Sequence, residues 1–273
     1  MKKKIHEQIE IGIIGGTGVY DPGMLQNVKQ IKTPHTPFGE TSADFITIGD
    51  CGNKKVAFLP RHGAHHRFPP HKVPSHANIW ALNELGVKRI IAPSAVGTLQ
   101  PHIKPGELVI TDQFIDWTKT REYTYYHGGQ VAHISMADPF CKELRKIAIA
   151  SAKEINAPFH EKGTLICIEG PRFSTRAESL FFKNVMKADI IGMTMAPECI
   201  LAREMGICYL SIAAATDYDA WHEEEGPVNN QGVIETMKKN IALIRKLIFA
   251  IIPKIPHEPI VCECPHALDN AFM

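Results

Sequence analysis

No stretch of the 273 residues approaches the ~20 apolar residues that a helix needs to cross a bilayer. The basic segment Met1–Glu10 is followed by a brief apolar run soon broken by glycines, which does not make a secretory signal. A cytoplasmic protein is expected. Charge of one sign is also missing: 30 Lys and Arg face 29 Asp and Glu, a net +1. That balance gives no electrostatic reason to expect nucleic acid or an anionic membrane as partner. Seven cysteines are an odd number for a disulfide framework, and Cys262-Glu263-Cys264 lacks a second ligand pair at zinc-ribbon spacing. His65, His66 and His71 show no helical metal-ligand spacing either, so no metal is expected. There is no internal repeat and no low-complexity tract. A dinucleotide fingerprint is incomplete: Gly16 and Gly18 have the first spacing, but Asp21 stands at the third glycine position and Pro22-Gly23 would break the helix that must follow. A nicotinamide cofactor is therefore not expected.

What is present is an ordinary globular composition, 44% hydrophobic and 22% charged, with 20 Gly and 19 Pro. Short apolar runs at Ile11–Gly15, Val56–Pro60, Arg89–Ala92, Thr164–Ile168, Ile190–Gly192 and Gly206–Ala215 read as buried strands. Between them, Ser75–Leu85, Pro139–Asn156, the stretch from Arg176, Ala196–Met205 and Val233–Ile252 read as helices. Strands alternating with helices predict one α/β domain with a twisted, mostly parallel or mixed central sheet. That domain spans residues 1–252; residues 253–273, holding Pro253, Pro256, Pro259 and Pro265, form a tail packed on it.

Ligands of open α/β sheets sit at the carboxyl ends of the strands. Five such junctions carry polar groups: Gly16-Thr17-Gly18, Arg61-His62, a small-residue turn at Ser94-Ala95, Phe173-Ser174 with Met193-Thr194, and Thr216-Asp217-Tyr218-Asp219. A glycine turn with a threonine, an arginine fork and a histidine are groups that hold phosphate. Two aspartates two residues apart, beside an acidic loop His222–Gly226, are groups that handle protons or read amines. The early junctions thus bind phosphate, and the late ones suit a nitrogenous base.

With these residues in place, the chain resembles the 5′-methylthioadenosine phosphorylases within the trimeric branch of the purine nucleoside phosphorylases. The resembling segments are Ile11–Gly18, Arg61–Gly63, Ala77–Leu82, Asp112–Asp116, Met136–Cys141, Ile168–Phe173, Met193–Glu198 and Ala215–Trp221. By that resemblance Thr17, Arg61, His62, Ser94, Ala95 and Thr194 bind phosphate, with Pro93-Ser94 standing where the family often has a threonine pair. Met193 packs near the ribose, Phe173, Ser174, Asp217 and Asp219 fall at the purine, and Val233 and Ile234 line the methylthio pocket. His133 reaches the 5′ pocket of a neighbouring subunit. The resemblance implies a homotrimer or a pair of trimers, with methylthioadenosine and phosphate as substrates and no cofactor. It also implies a Cys141–Cys208 disulfide, since thermophilic relatives carry disulfides, and a redox-active Cys262–Cys264 pair is a further expectation.

The implied reaction is phosphorolysis: phosphate attacks C1′ opposite the base, and Asp217 protonates N7 of the departing adenine. Asp217 can do so only if burial and the neighbouring Asp219 carboxylate raise its pKa. Relatives that cleave 6-oxopurine nucleosides have Glu in place of Ser174 and Asn in place of Asp217, so this pair predicts 6-aminopurines. A broader purine nucleoside phosphorylase and a non-catalytic nucleoside-binding protein are the alternatives. Phosphate-dependent release of free adenine separates catalysis from mere binding.

Overall fold

The computed structural model describes residues 9–16, 19, 25–223, 230–257 and 262–273. Thr17 and Gly18, the acidic loop from residue 224 onward, the side chain of Asn230 and Pro259 lie outside the described residues. Among the described residues, strands β1 (Ile11–Gly15), β2 (Gln26–Lys32), β3 (Phe45–Cys51), β4 (Lys54–Pro60), β5 (Arg89–Thr98), β6 (Leu108–Ile110), β7 (Gln113–Trp117), β8 (Phe159–His160), β9 (Thr164–Ile168), β10 (Ile190–Gly192) and β11 (Cys208–Asp217) form one mixed sheet. The helices are α1 (Ser75–Glu84), α2 (Lys142–Glu154), α3 (Arg176–Asn184), α4 (Met195–Glu204) and α5 (Asn230–Ile251). None of the described helices is long and apolar enough to cross a membrane.

The centre of the sheet is β5 paired in parallel with β11 along its length, from Cys208↔Arg89 to Asp217↔Gly97. Successive residues of β11 enter different apolar clusters: Cys208, Leu210, Ile212 and Ala214 pack with α5, while Tyr209, Ala213 and Ala215 pack into the other large cluster with α4 residues. A strand buried on both faces reads as a continuous apolar run, which is why this one was legible. The run ends in a bulge between Ala215 and Asp217, and a bulge re-aims the side chain that follows it.

The other edge of β5 is shared. Parallel β1 pairs with Arg89–Ile91, and antiparallel β10 pairs with Gly97 and Thr98. The two strands run toward each other and both stop short, so neither pairs with Ala92–Val96. The turn expected at Ser94-Ala95 is instead uninterrupted strand. Its small residues mark the gap between two neighbours, not a change of chain direction. The sheet therefore has strand carboxyl ends facing each other across this gap, rather than all along one rim.

The tail docks at two places. Cys264 is buried, and its Sγ accepts a hydrogen bond from Arg203 Nη1 at 3.4 Å. The sulfurs of Cys141, Cys208, Cys262 and Cys264 all lie within 4.8 Å of one another, a group that could hold a metal ion. Cys208 Sγ lies 3.2 Å from Cys262 Sγ, and all seven cysteines are free thiols. Further on, the His133 N–H donates to Ala271 O and the Met273 N–H to Val131 O, which ties the end of the chain to the long loop between β7 and α2.

Candidate active site

A cavity of about 790 Å³ opens at the gap in the β5 edge. Of the residues expected at a site, Arg61, His62, Ser94, Ala95, Phe173, Met193, Thr194, Asp217, Asp219 and Val233 line it. Ser174 stands just behind, its hydroxyl beside Asp219. His133 is exposed and does not line the cavity of its own chain.

Arg61 follows β4, and its N–H donates to Gly15 O as the β1–β4 ladder ends. Gly63, at φ +71°, makes the turn that follows; a Cβ there would sit 2.6 Å from Ser42 O. The Arg61 guanidinium is 3% exposed and largely committed. Nε and Nη2 donate to the two oxygens of Glu198 at 2.8 Å each, Nη1 donates to Pro93 O at 2.9 Å, and Nη2 also donates to Ile14 O at 3.0 Å. Glu198, 1% exposed on α4, also accepts from the Tyr209 hydroxyl at 2.7 Å. Burial pulls the Arg61 pKa down, but the Glu198 carboxylate outweighs it and raises it. With five N–H groups on a guanidinium, these contacts leave one Nη1 donor for a ligand. Arg61 therefore builds the gap as much as it binds in it: one cation joins β1, β5 and α4.

His62 departs from expectation in its protonation. Its Nδ1–H donates to Phe68 O at 2.9 Å, since a carbonyl can only accept. Burial, helped by the Arg61 charge, brings its pKa down to about 4. The ring is therefore neutral at pH 7, with Nε2 a lone-pair acceptor rather than the extra donor anticipated. His66 stacks on it, ring centroids 4.0 Å apart, and also lines the cavity.

Along β5, Gly97 lies three residues beyond Ser94, about 10 Å at the strand rise. Here the β11 bulge delivers Asp217. Its Oδ1 accepts from the Asp219 N–H at 2.8 Å, and its Oδ2 lies 2.7 Å from Thr216 Oγ1, which is itself 3.1 Å from Val96 O. Thr216 has one hydroxyl proton for two acceptors. The hydroxyl donates toward both, shared between Asp217 Oδ2 and Val96 O. Burial raises the Asp217 pKa, against the hydrogen bonds from Thr216 and the Asp219 N–H. The expected lift from the Asp219 carboxylate runs the other way. Burial, then the Asp217 charge, raises Asp219, while Ser179, Ala220 N–H and Ser174 oppose it.

Asp219 sits at φ +50°, a conformation uncommon outside glycine. The segment after it is pinned by Trp221 Nε1, which donates to Thr98 O at 2.7 Å, with Lys183 Nζ 3.1 Å from the centroid of the indole. Asp219 Oδ2 and the Ser174 and Ser179 hydroxyls are buried beside one another, and none has a partner at full hydrogen-bond geometry. Of the three residues only Asp219 lines the cavity. Phe173 and Ser174 are held by the start of α3. There Thr175 and Glu178 form a reciprocal cap, and Arg172 clasps both oxygens of Glu178 at 2.7 Å. Thr175-x-x-Glu178 is a capping signature readable in the sequence.

The far wall is one face of α5: Val233, Ile234, Met237, Lys238 and Ile241. Of these, sequence reasoning reached only Val233 and Ile234; the i, i+4, i+8 spacing of Val233, Met237 and Ile241 was the signal for the rest.

The sequence model of the phosphorylase superfamily matches residues 10–253. The chain is 57% identical to S-methyl-5′-thioadenosine phosphorylase of Pyrococcus furiosus, over 97% of this chain and 99% of that one. It belongs to this superfamily and, within it, to the S-methyl-5′-thioadenosine phosphorylases. The enzyme of that name from Saccharolobus solfataricus is 55% identical over 98% of each chain. Among solved structures, a methylthioadenosine phosphorylase from an antarctic soil metagenomic library superposes with a TM-score of 0.91 at 43% identity, covering 98% of this chain and 93% of that one. Methylthioadenosine phosphorylase from Schistosoma mansoni, solved with adenine, gives a TM-score of 0.85 at 38% identity, with 92% and 93% covered.

Proposed function

We propose that the chain catalyses phosphorolysis of 5′-methylthioadenosine, releasing adenine and 5-methylthioribose 1-phosphate, in the cytoplasm. The observation that carries this is a buried Asp217, its pKa raised by burial, at one end of a cavity whose other end presents Arg61, His62 and the stretch of β5 that lacks a second neighbour. About 10 Å separates the two ends, room for a ribose between phosphate and base. Phosphate is held by the remaining Arg61 donor, Ser94, Ala95 N–H, Thr194 and Thr17. Neutral His62 accepts a hydrogen bond from a protonated phosphate oxygen. A phosphate oxygen forms the bond to C1′ as the C1′–N9 bond breaks, its electron pair passing into the purine. Asp217 gives its proton to N7, so adenine leaves neutral. Inorganic phosphate is the co-substrate, and the reaction needs no metal or organic cofactor.

Phe173 and Met193 enclose the base and ribose. Ser174 offers a hydroxyl to bare N1 and Asp219 accepts from the N6 amine. Inosine would set acceptor against acceptor, a mismatch worth ~10⁴–10⁵ in selectivity in a buried site. Val233 and Ile234 form the methylthio pocket, which His133 of a neighbouring copy closes in a trimer or pair of trimers. Support for that assembly is that His133 is exposed and off its own cavity, while Trp117, Tyr123, Val131 and Val185 leave apolar surface uncovered.

The test is adenine release from methylthioadenosine with and without phosphate, with inosine as competitor substrate. Wild type should strongly prefer methylthioadenosine, and Asp217→Asn should lose ~10²–10⁴ in rate. Equal cleavage of inosine refutes the base reading. Full activity in Asp217→Asn moves the acid to Asp219. For assembly, scattering mass should give a multiple of three, and a fully active monomer ends that idea.

A further inference from the structure

Arg121 lies on the long loop between β7 and α2, away from every junction that pointed to the site. Its side chain is 5% exposed. Nη1 donates to Met193 O at 2.7 Å and Ala196 O at 2.5 Å; Nη2 donates to Glu169 O at 2.6 Å and Ile168 O at 3.2 Å. Nε faces Glu169 Oε1 at 3.7 Å. The other Glu169 oxygen accepts from the Lys119 and Thr120 N–H groups, folding residues 119–121 against the strand end.

These four carbonyls share an origin. β9 ends at Ile168 and β10 at Gly192, so the carbonyls beyond have run out of ladder partners. At the start of α4, Ala196 is non-helical, with ψ 137°. Buried carbonyls without partners are costly, and here three chain segments aim theirs at one point. A planar, forked cation meets such an array; the single ammonium of a lysine does not.

The clamped segments carry cavity walls. Ile168 and Met193 line it themselves, Thr194 follows Met193, and Phe173 and Ser174 lie four and five residues past Glu169. Asp217, on β11, is outside the clamp. We infer that Arg121 is a positioning residue: it fixes the spacing between the Phe173 wall and the Met193–Thr194 wall, and so sets substrate affinity without touching substrate. The inference rests on the phosphorolysis reading above.

The experiment compares wild type with Arg121→Lys and Arg121→Ala in the full chain. Misplacing a wall by about 1 Å costs up to ~10²-fold. For Arg121→Lys, a fall of ~10–10²-fold in kcat/KM is expected, mostly in KM for nucleoside and phosphate. The alkaline limb of the pH profile, where Asp217 loses its proton, should stay in place; general loosening would shift it as Asp217 became hydrated. Methylguanidinium should restore part of the lost affinity in Arg121→Ala. Adenine affinity is measured by calorimetry alongside. A wild type that binds adenine but does not turn over sinks the reaction and leaves the clamp testable by affinity. Wild-type KM and adenine affinity in folded Arg121→Lys overturn the clamp. If neither variant folds, Glu169→Gln, which weakens the orientation of Arg121, should raise nucleoside KM several-fold; an unchanged KM there refutes the role as well.

Discussion

At Gly97, β5, β10 and β11 crowd together beside Asp217, the proposed acid. A Cβ added there would lie 2.8 Å from Asp217 Oδ1, 3.0 Å from Ile191 Cγ2 and 3.3 Å from Asp219 Cβ. Ordinary contact begins near 3.4 Å, so the carboxylate oxygen must retreat by about 0.6 Å and Ile191 by about 0.4 Å. Neither is a free end. Asp217 is tied through Thr216 and the Asp219 N–H, and Ile191 pairs with Gly97 in the ladder. The strain is expected to cost ~1–3 kcal/mol of stability, as overpacked cores do. The larger effect falls on chemistry. A shift of over half an ångström in the proton donor should lower kcat by ~10–10²-fold. The proposed phosphate contacts at Ser94 lie about 10 Å back along β5, so KM for phosphate should hold. Gly192→Ala is the control, because its Cβ would meet Val96 Cγ1 at 3.3 Å, almost ordinary contact. Steady-state kinetics on methylthioadenosine with varied phosphate decide the matter. If Gly97→Ala keeps wild-type kcat, the acid is not where the structure holds it, and the reasoning fails.

Three further outcomes are expected. Glu198→Gln strips the partner from a buried guanidinium, which should destabilise the fold by ~3–5 kcal/mol and raise phosphate KM; thermal melts and kinetics read both. His62 has a folded pKa of about 4 against 6.5 unfolded. The unfolded chain therefore takes up its proton first as pH falls, and stability drops between pH 6.5 and 4, by ~3 kcal/mol from this residue. His62→Asn should flatten that slope in melts recorded across the range. For the cysteines, a thiol titration of unfolded, unreduced protein should find seven free groups, as in this structure. A count of five or three means oxidation, and peptide mapping then distinguishes the resemblance-implied Cys141–Cys208 bridge from a bridge between Cys208 and Cys262, whose sulfurs lie 3.2 Å apart.

Sequence and structure agree most where one physical cause dominates. The β11 run from Cys208 to Ala215 is buried on both faces, so its apolar continuity declared a strand inside the sheet, while the two aspartates at its end fitted a polar turn as well as a site. Ser94-Ala95 was misread because small polar residues mark both turns and unpaired strand, and only β1 and β10 stopping short separates the two. The Arg61–Glu198 pair spans 137 positions, so no local pattern could join them. The neutral state of His62 comes from burial, which no local pattern shows, beside the Arg61 charge, and its tautomer from the Phe68 carbonyl brought round by the tight turn through Gly63. Four cysteines without zinc spacing became a cluster because the tail returns to the start of β11. Arg121 carried no signal at all, since its partners are backbone carbonyls, which every residue has.

The tail anchored at those cysteines continues to Ala271 and Met273, which pair with Val131 and His133. Two distant regions are thereby placed in mechanical series. The thiol cluster acts as a mooring and the last three residues as the line that holds the His133 loop. A change in chemistry at Cys262 or Cys264, by oxidation or by metal, would reach that loop at two points, Cys141 at its α2 end and Val131 with His133 in its middle. Trimming the final residues would release that loop while leaving every wall of the cavity in its own subunit intact. In an assembly where one copy's loop completes the next copy's pocket, the end of each chain would then tune its neighbour's catalysis rather than its own.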